Sequence, residues 1–582
     1  MNIPQKLLAA RRALEEISEY ELIQDWKLEK VSKSWYIIFK IKIYSNINFD
    51  KETYWVALTD ENYPNSEIEI YPERQKGISN TYPHQSNNAL KINSSLIKSG
   101  KICLKKIDIN FADENTFLLE HIYSLIDWIK AADKGNLLKE GDYFENLDYN
   151  ISKNSIVAFN ETEETYFKWQ ELDTFYGYTE LKCTDNFKII TKFKDIKNKK
   201  VIFNNLWGGF SNKITKKELG VWIRLDKFLV LNEWQAPNTF EELNNCFINQ
   251  NKNFFEILAK LTKALRDNKE HVVSIGFPVS EVMGSNKKTI FWQSFLLPKL
   301  TNKEIKGFRK TEENYFNNDL KNILKKGILI KWITSENWNK NNLLKRGSYP
   351  KEICNLNFLI IGAGSLASSL CEMLVRNGIV FLGIIDYDSF ETGNIARHTL
   401  DIRDISKVKS FALKERLEYL NPHVKIKSFN KKFDKFFEKD LKEYDVIIDC
   451  TADEKVLTTL SELKGKQKLF SASFGYNAEK LYLYSGVLDS FSKELFLKKI
   501  SSYVKKDLEY IKYSPLPWKG IGCWSSVFPA KFSDVLLVSA TIVSIIIKFL
   551  TKEESSSKYF IYQKMYDREG YLLGFKNAND KI

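Results

Sequence analysis

The chain predicts a multidomain protein of mixed class: an α+β segment at residues 1–150, a middle segment at 151–349, and a doubly wound α/β segment at 350–582. Three observations lead there. At 582 residues, and roughly 100–200 residues per domain, one small module is excluded. Runs rich in Trp, Tyr, Val and Ile, such as 35–43 and 53–58, are broken by Asn and Asp near the N-terminus and read as antiparallel strands. From Lys351 onward the pattern becomes strand, glycine turn, helix, strand, the mark of a parallel sheet with crossover helices.

The elements follow in order. Residues 1–16 carry Lys6, Arg11, Arg12, Glu15 and Glu16 and therefore read as an amphipathic helix rather than a signal peptide. In the middle segment, aromatic strands are expected at 186–193, 221–231 and 290–297, with one clear helix near 254–267. No motif there attaches to chemistry. The longest apolar run, 535–547, falls short of the roughly 20 residues a bilayer crossing needs and reads as a buried helix capped by Ser533 or Asp534.

Hydrophobic residues make up 43% and charged residues 28%, which excludes disordered and fibrous classes. The net charge of +13 could attract an acidic partner. No single basic stripe stands out, the densest run being 194–200, and the lysine excess accompanies abundant Asn and Ile as an AT-rich genome would produce; no DNA partner and no membrane are expected. The seven cysteines, 103, 183, 246, 354, 371, 450 and 523, include no Cys-x-x-Cys pair. A zinc site is disfavoured and reduced thiols in a cytoplasm are expected.

Residues 357–361 form an apolar run followed by Gly362-Ala-Gly364-Ser-Leu-Ala367 and a helical stretch. Gly362 permits the turn, Gly364 lets a phosphate approach the backbone, and small Ala367 lets helix pack on strand. Asp386 follows the next strand, about 20 residues on, where a carboxylate can accept from ribose hydroxyls. This much suits a nicotinamide-dependent dehydrogenase equally well. Arg397 and Lys409 shift the balance, because two cations near the phosphate end suit expulsion of pyrophosphate.

With Asp386-x-Asp388, Asn394-x-x-Arg397, Lys409 before a long helix, and Asp449-Cys-Thr451, residues 351–582 resemble the ubiquitin-activating (ThiF/MoeB-like) adenylating enzymes, a Rossmann-like fold. The resemblance implies ATP and Mg2+, with Asp386 on the ribose, Asn394, Arg397 and Lys409 on the phosphates, and a homodimer. Where that family has a second Asp this chain has Ala452 followed by Asp453, so the expected magnesium contact is Asp453, or else water and phosphate alone.

Cys523 sits in a Pro/Gly-rich loop, 515–526, where that family carries the cysteine that attacks the acyl-adenylate. Cys354, Cys371 and Cys450, inside strand and helix patterns, read as buried hydrophobes. In the first segment Tyr63-Pro64, His84 and Gly100-Lys-Ile-Cys103-Leu104 resemble a ubiquitin-conjugating enzyme, which implies an acyl-carrying thiol at Cys103 and makes Asn87 the nearest candidate for the oxyanion. His84 is followed by Gln85 where that family has Pro.

The order conjugating, linker, activating resembles the fused bacterial enzymes of anti-phage cyclic-oligonucleotide (CBASS) systems. That implies a cGAS-like nucleotidyltransferase as donor of a C-terminal carboxylate, and an acceptor amine. The five histidines contain no H-x-H, so no metal-dependent deconjugating peptidase is expected. A nicotinamide-dependent oxidoreductase and a non-catalytic scaffold remain the alternatives.

Overall fold

The computed structural model describes residues 2–29, 33–43, 51–104, 113–196, 200–302, 311–513, 516, 518–520 and 523–578, without the side chains of 152–154, 518–520 and 523–526. It is a mixed α/β, multidomain chain that divides into two compact units, one of residues 1–205 and 216–337, the other of 206–215 and 338–582.

The first unit opens with the helix Gln5–Ala13 and a four-stranded antiparallel meander, Tyr20–Leu28, Trp35–Lys42, Glu52–Thr59 and Glu69–Pro72. In Trp35–Lys42 burial alternates residue by residue, with Trp35, Ile37, Phe39 and Ile41 inward. That is the period of two that a half-covered strand requires. The covering element is the helix Thr116–Asp133, whose Phe117, Leu118, Ile122, Leu125, Ile126 and Ile129 are buried at helical spacing. Trp55 and Trp128 meet edge to face at 6.1 Å between these layers. Tyr63 fixes the helix start, its hydroxyl donating to the Glu114 carbonyl (3.0 Å) and accepting the Leu118 N–H (3.2 Å).

The same unit holds a second, eight-stranded sheet in the order Ile151–Phe159, Lys331–Asn337, Lys288–Leu297, His271–Ser280, Lys217–Arg224, Tyr176–Cys183, Phe187–Lys194, Val201–Asn204. Ile151–Phe159 also pairs with Phe187–Lys194, so the sheet closes on itself. Here the sequence expectations need correction. The strand expected at 221–231 ends at Arg224, because beyond it the Gln250 side chain takes over the backbone, accepting from the Lys227 N–H (3.0 Å) and donating to the Lys227 carbonyl (3.3 Å). Leu225 and Leu229 are buried from a loop.

The expected helix covers Phe254–Leu261 and continues as a 3-10 turn over Thr262–Leu265, but it is not alone. Glu163–Gln170, Phe240–Ile248 and Glu312–Asn322 are also helical, each started by a threonine whose hydroxyl accepts an N–H three residues on. Thr239 and Glu242 form a full capping box, a signal present in the sequence.

One buried carboxylate organises this sheet. Glu161 accepts from the indoles of Trp169 (3.0 Å) and Trp292 (2.9 Å) and from the Thr165 hydroxyl (2.5 Å), amid the cluster of Trp169, Phe193, Trp222 and Trp292. Burial outweighs these bonds and pushes its pKa up to about 7.

In the second unit an eight-stranded sheet runs Lys425–Phe429, Phe381–Ile385, Phe358–Ile361, Val446–Asp449 and Lys468–Phe474, all parallel, then Lys480–Val487, Lys558–Tyr566 and Leu572–Asn577, antiparallel. Apolar clusters lie on both faces of it. The apolar run extends to a 20-residue helix, Phe532–Thr551, long and apolar enough to cross a membrane by length and composition. Val535, Val538, Ile542, Ile546 and Phe549 bury one face in the core. It has no side-chain cap: Ser533 and Asp534 lie inside its first turn, and the Asp534 carboxylate instead pairs with the buried Lys564 ammonium at 2.9 Å.

Because the folded carboxyl of Glu161 titrates above its ordinary value of 4.5, its ionisation costs nothing below that pH and its full amount above about 7. Glu161→Gln should therefore gain on the parent protein by about 3 kcal/mol at about pH 8 relative to about pH 4. Urea unfolding followed by tryptophan fluorescence measures this, and an unchanging difference would refute it.

Candidate functional site

Strand order in the second unit reverses between Phe358–Ile361 and Val446–Asp449, since the chain first adds strands on one side of Phe358–Ile361 and later on the other. In open α/β sheets the crevice at such a point, beyond the carboxyl ends of the strands, is where ligands bind. The glycine turn sits there. Gly362 has φ +89°, and a Cβ on it would lie 3.1 Å from the Thr451 methyl. At Gly364, which opens the helix Ser365–Arg376, a Cβ would meet nothing within 4 Å. Space is therefore open beside the first N–H groups of that helix, the geometry that suits an anion. Ala367 is fully buried in the core between helix and sheet.

The backbone of Ala363 is held on both sides of its Cα. Its N–H donates to Asp386 Oδ2 (2.6 Å), and its carbonyl accepts from His398 Nε2 (2.8 Å). The Leu400 N–H donates to His398 Nδ1 (3.0 Å), which assigns the ring proton to Nε2. Burial agrees, pushing His398 down to about 4 and so keeping it neutral. Asp386 Oδ1 accepts the Asp388 N–H (2.7 Å), and burial raises the Asp386 pKa. Both oxygens keep lone pairs for a further donor. His398 was missed by sequence reading although it adjoins Arg397; its part depends on a contact 35 residues away in sequence.

Around this turn stand the other expected residues. Lys409, opening the helix Lys409–Glu418, places Nζ 3.2 Å from Asp388 Oδ2. Asn394 accepts the Glu391 N–H through Oδ1 (3.1 Å), capping the turn Thr392–Arg397. Arg397 Nη1 donates to the Phe528 carbonyl, just past the short strand Cys523–Ser526. Asp449 is buried and committed: it accepts from Thr451 Oγ1 (2.7 Å), the Thr451 N–H (3.0 Å) and Ser471 Oγ (2.8 Å). Ala452 has φ +53°. Asp453 caps the helix Glu454–Glu462 by accepting the Lys455 N–H at Oδ1 (2.7 Å). Among the described residues no cluster of three or more metal-ligating side chains occurs. The Cys523 backbone begins a strand paired with Trp518–Gly520, and its side chain lies outside the described residues.

In the first unit Cys103 is exposed. Cys354 and Cys371 are buried, Cys450 is partly covered, and burial raises the pKa of all three thiols. Cys183 and Cys246 are pushed to about 12 in the same way. Asn87 needs correction as an oxyanion donor. It is buried and donates from Nδ2 to the Asp148 carbonyl (3.3 Å) and to Asn238 Oδ1 (3.1 Å), so both its N–H groups are spent holding the loop in place.

A glycine turn at a switch point, with a carboxylate tied to it and two cations on the segments around it, is the class of site an adenylating domain carries, and the ThiF family matches residues 343–488. The family described as the Cap2 central linker domain matches residues 135–338. The chain is 31% identical over 521 residues to the ATP-dependent ubiquitin transferase-like protein Cap2 of Enterobacter hormaechei subsp. hoffmannii (strain UCI 50), covering 85% of each. It belongs to the Cap2 family of ATP-dependent ubiquitin transferase-like proteins. The molybdopterin-synthase adenylyltransferase of Haemophilus influenzae is 33% identical over 109 residues, 18% of this chain and 43% of that protein. The E. coli MccB structure with ATP overlaps 40% of this chain and 66% of its own, at 16% identity and a TM-score of 0.28.

The two glycines should respond differently to one methyl group. Gly362→Ala is expected to lower the unfolding free energy by about 1–2 kcal/mol, and Gly364→Ala by no more than about 0.5 kcal/mol. Equal losses in chemical denaturation would contradict the geometry described.

Proposed function

We propose that the chain adenylates the C-terminal carboxylate of a partner protein, carries the acyl group as a thioester on Cys523, passes it to Cys103, and joins it to an amine. The observation that carries this reading is the glycine turn tied to Asp386 with Arg397 and Lys409 beside it. A hydride-transfer site has no use for those cations. A carboxylate attacking the α-phosphorus of ATP expels pyrophosphate, and the charge growing on the leaving group is what fixed cations stabilise. Asp386 would accept from the ribose hydroxyls while holding the turn. Magnesium, when bound, would neutralise the phosphates; Asp453 retains Oδ2 for it, and one carboxylate with phosphate oxygens and water is an ordinary magnesium set.

Residues 1–150 would act as the ubiquitin-conjugating-like domain. Support comes from the meander with its flanking helices and from a cysteine that is exposed where five others are covered. A thioester keeps the carboxyl activated while resisting water better than the acyl-adenylate does, and exchange between two thiols costs little free energy. By family likeness the carboxylate belongs to a cGAS-like nucleotidyltransferase of an anti-phage system, and the enzyme works as a cytoplasmic homodimer. A monomer by light scattering at micromolar concentration would remove the last element.

Arg397→Ala or Lys409→Ala should lower partner-dependent pyrophosphate exchange by roughly 100-fold or more; exchange unchanged in both would remove the adenylation reading. The cysteine variants should stop at different steps. Cys523→Ala keeps exchange and forms no thioester, whereas Cys103→Ala keeps one thioester and makes no product, as intact-mass measurement would show. Product at the parent rate from Cys103→Ala would reduce the first domain to a docking module.

A further inference from the structure

The loop that faces Cys103 is held by a carboxylate that the sequence analysis did not single out. Glu145 lies between the helix Thr116–Asp133 and the strand Ile151–Phe159. It makes three bonds to one residue: Oε2 is 2.7 Å from His84 Nδ1, and the His84 N–H donates to Oε1 (3.0 Å) and Oε2 (3.2 Å). Three residues on, Asp148 Oδ2 accepts the Asn87 N–H at 2.9 Å.

The register then places His84 against the cysteine. Gln85 and Ile102 form an antiparallel bridge. The Ser86 N–H donates to the Lys101 carbonyl (2.9 Å) on one side of it, and the Cys103 N–H to the His84 carbonyl (2.7 Å) on the other. His84 and Cys103 are therefore directly opposite. Cys103 is exposed and the His84 side chain is 44% exposed, so an incoming amine can reach the pair.

A carboxylate that served only to pin the backbone would need only the His84 N–H. The added contact at Nδ1 does something else: it keeps the ring proton on Nδ1 and leaves the Nε2 lone pair as acceptor. The same logic lets a carboxylate orient a catalytic imidazole in hydrolases.

We propose that His84 takes the proton from the amine that attacks the acyl group on Cys103, with Glu145 as the positioning residue. The nitrogen lone pair forms the C–N bond, the C–S bond breaks with its electrons leaving on Sγ as thiolate, and the amine proton moves to Nε2. The imidazolium then returns the proton to the thiolate or to water. This role for His84 rests on the reading that Cys103 carries the acyl group.

The test bypasses adenylation. In the full-length chain Cys103 is charged by exchange with a glycine-terminated peptide thioester of 2-mercaptoethanesulfonate, its adduct located by peptide mapping, and its discharge to free L-lysine followed by intact mass. The parent chain should discharge faster than the same peptide on free cysteine. His84→Ala should charge normally but discharge roughly 100-fold more slowly, with added imidazole restoring much of the rate, an effect that a purely structural histidine would not show. Glu145→Gln should slow discharge about tenfold and Glu145→Asp restore most of it. If His84→Ala does not charge, the isosteric Glu145→Gln decides. Parent discharge no faster than free cysteine overturns the Cys103 reading and the inference with it. A fast parent with both variants at its rate, or a slowed His84→Ala that imidazole leaves slow, overturns the inference alone.

Discussion

The nucleotide crevice depends on the backbone of one residue, Ala363. The Ala363 N–H is bound by a carboxylate from the end of the neighbouring strand, and its carbonyl by a neutral imidazole from the segment that carries Arg397. These two bonds tie together three stretches of chain that arrive separately: the glycine turn, the Asp386 strand end, and the Asn394–Arg397 turn. Because the imidazole must donate at Nε2 and accept at Nδ1, it serves only while neutral, and its burial ensures that. The turn is thereby rigid before any ligand arrives, and a rigid set of N–H groups need not reorganise as charge develops.

A similar economy of parts recurs in the first unit, where single carboxylates organise apolar or loop surroundings. Glu161 gathers two indoles and a hydroxyl inside the closed sheet. Glu145 holds His84 by backbone and ring together, and Asp148 holds Asn87. The segment at 145–148 thus belongs to the Cys103 loop as much as to the chain that follows it. The Cap2 linker family match begins at residue 135, upstream of these contacts. The part of this chain that matches the linker family therefore includes residues that hold the segment opposite Cys103.

Cysteine environments differ sharply in this chain. Burial raises the pKa of five thiols, which makes them poor nucleophiles, while Cys103 stands in solvent at the end of a bridge whose partner strand carries a histidine. The apolar neighbours Ile102 and Leu104 do not signal burial of Cys103 itself, since alternate residues in an extended chain face opposite sides. Ile102 goes inward, to 3% exposure, and Cys103 outward.

By itself the sequence determined the features that are local in the chain. These were the glycine turn between strand and helix, the parallel pattern around it, and the strand at 35–42. Each depends on backbone preference or on residues within a turn or two of one another. The capping box at Thr239 was equally local and equally readable, since Glu242 stands three residues on. The tertiary structure decided what depends on contacts far apart in sequence. His398 reaches a carbonyl 35 residues away and Glu145 an imidazole 61 residues away, Gln250 ends a strand whose hydrophobic run continues, and Asn87 is drawn into the core by Asp148 and Asn238. Periodicity cannot report these, because a hydrogen bond between distant segments leaves no spacing in the chain; only the folded backbone brings donor and acceptor to 3 Å.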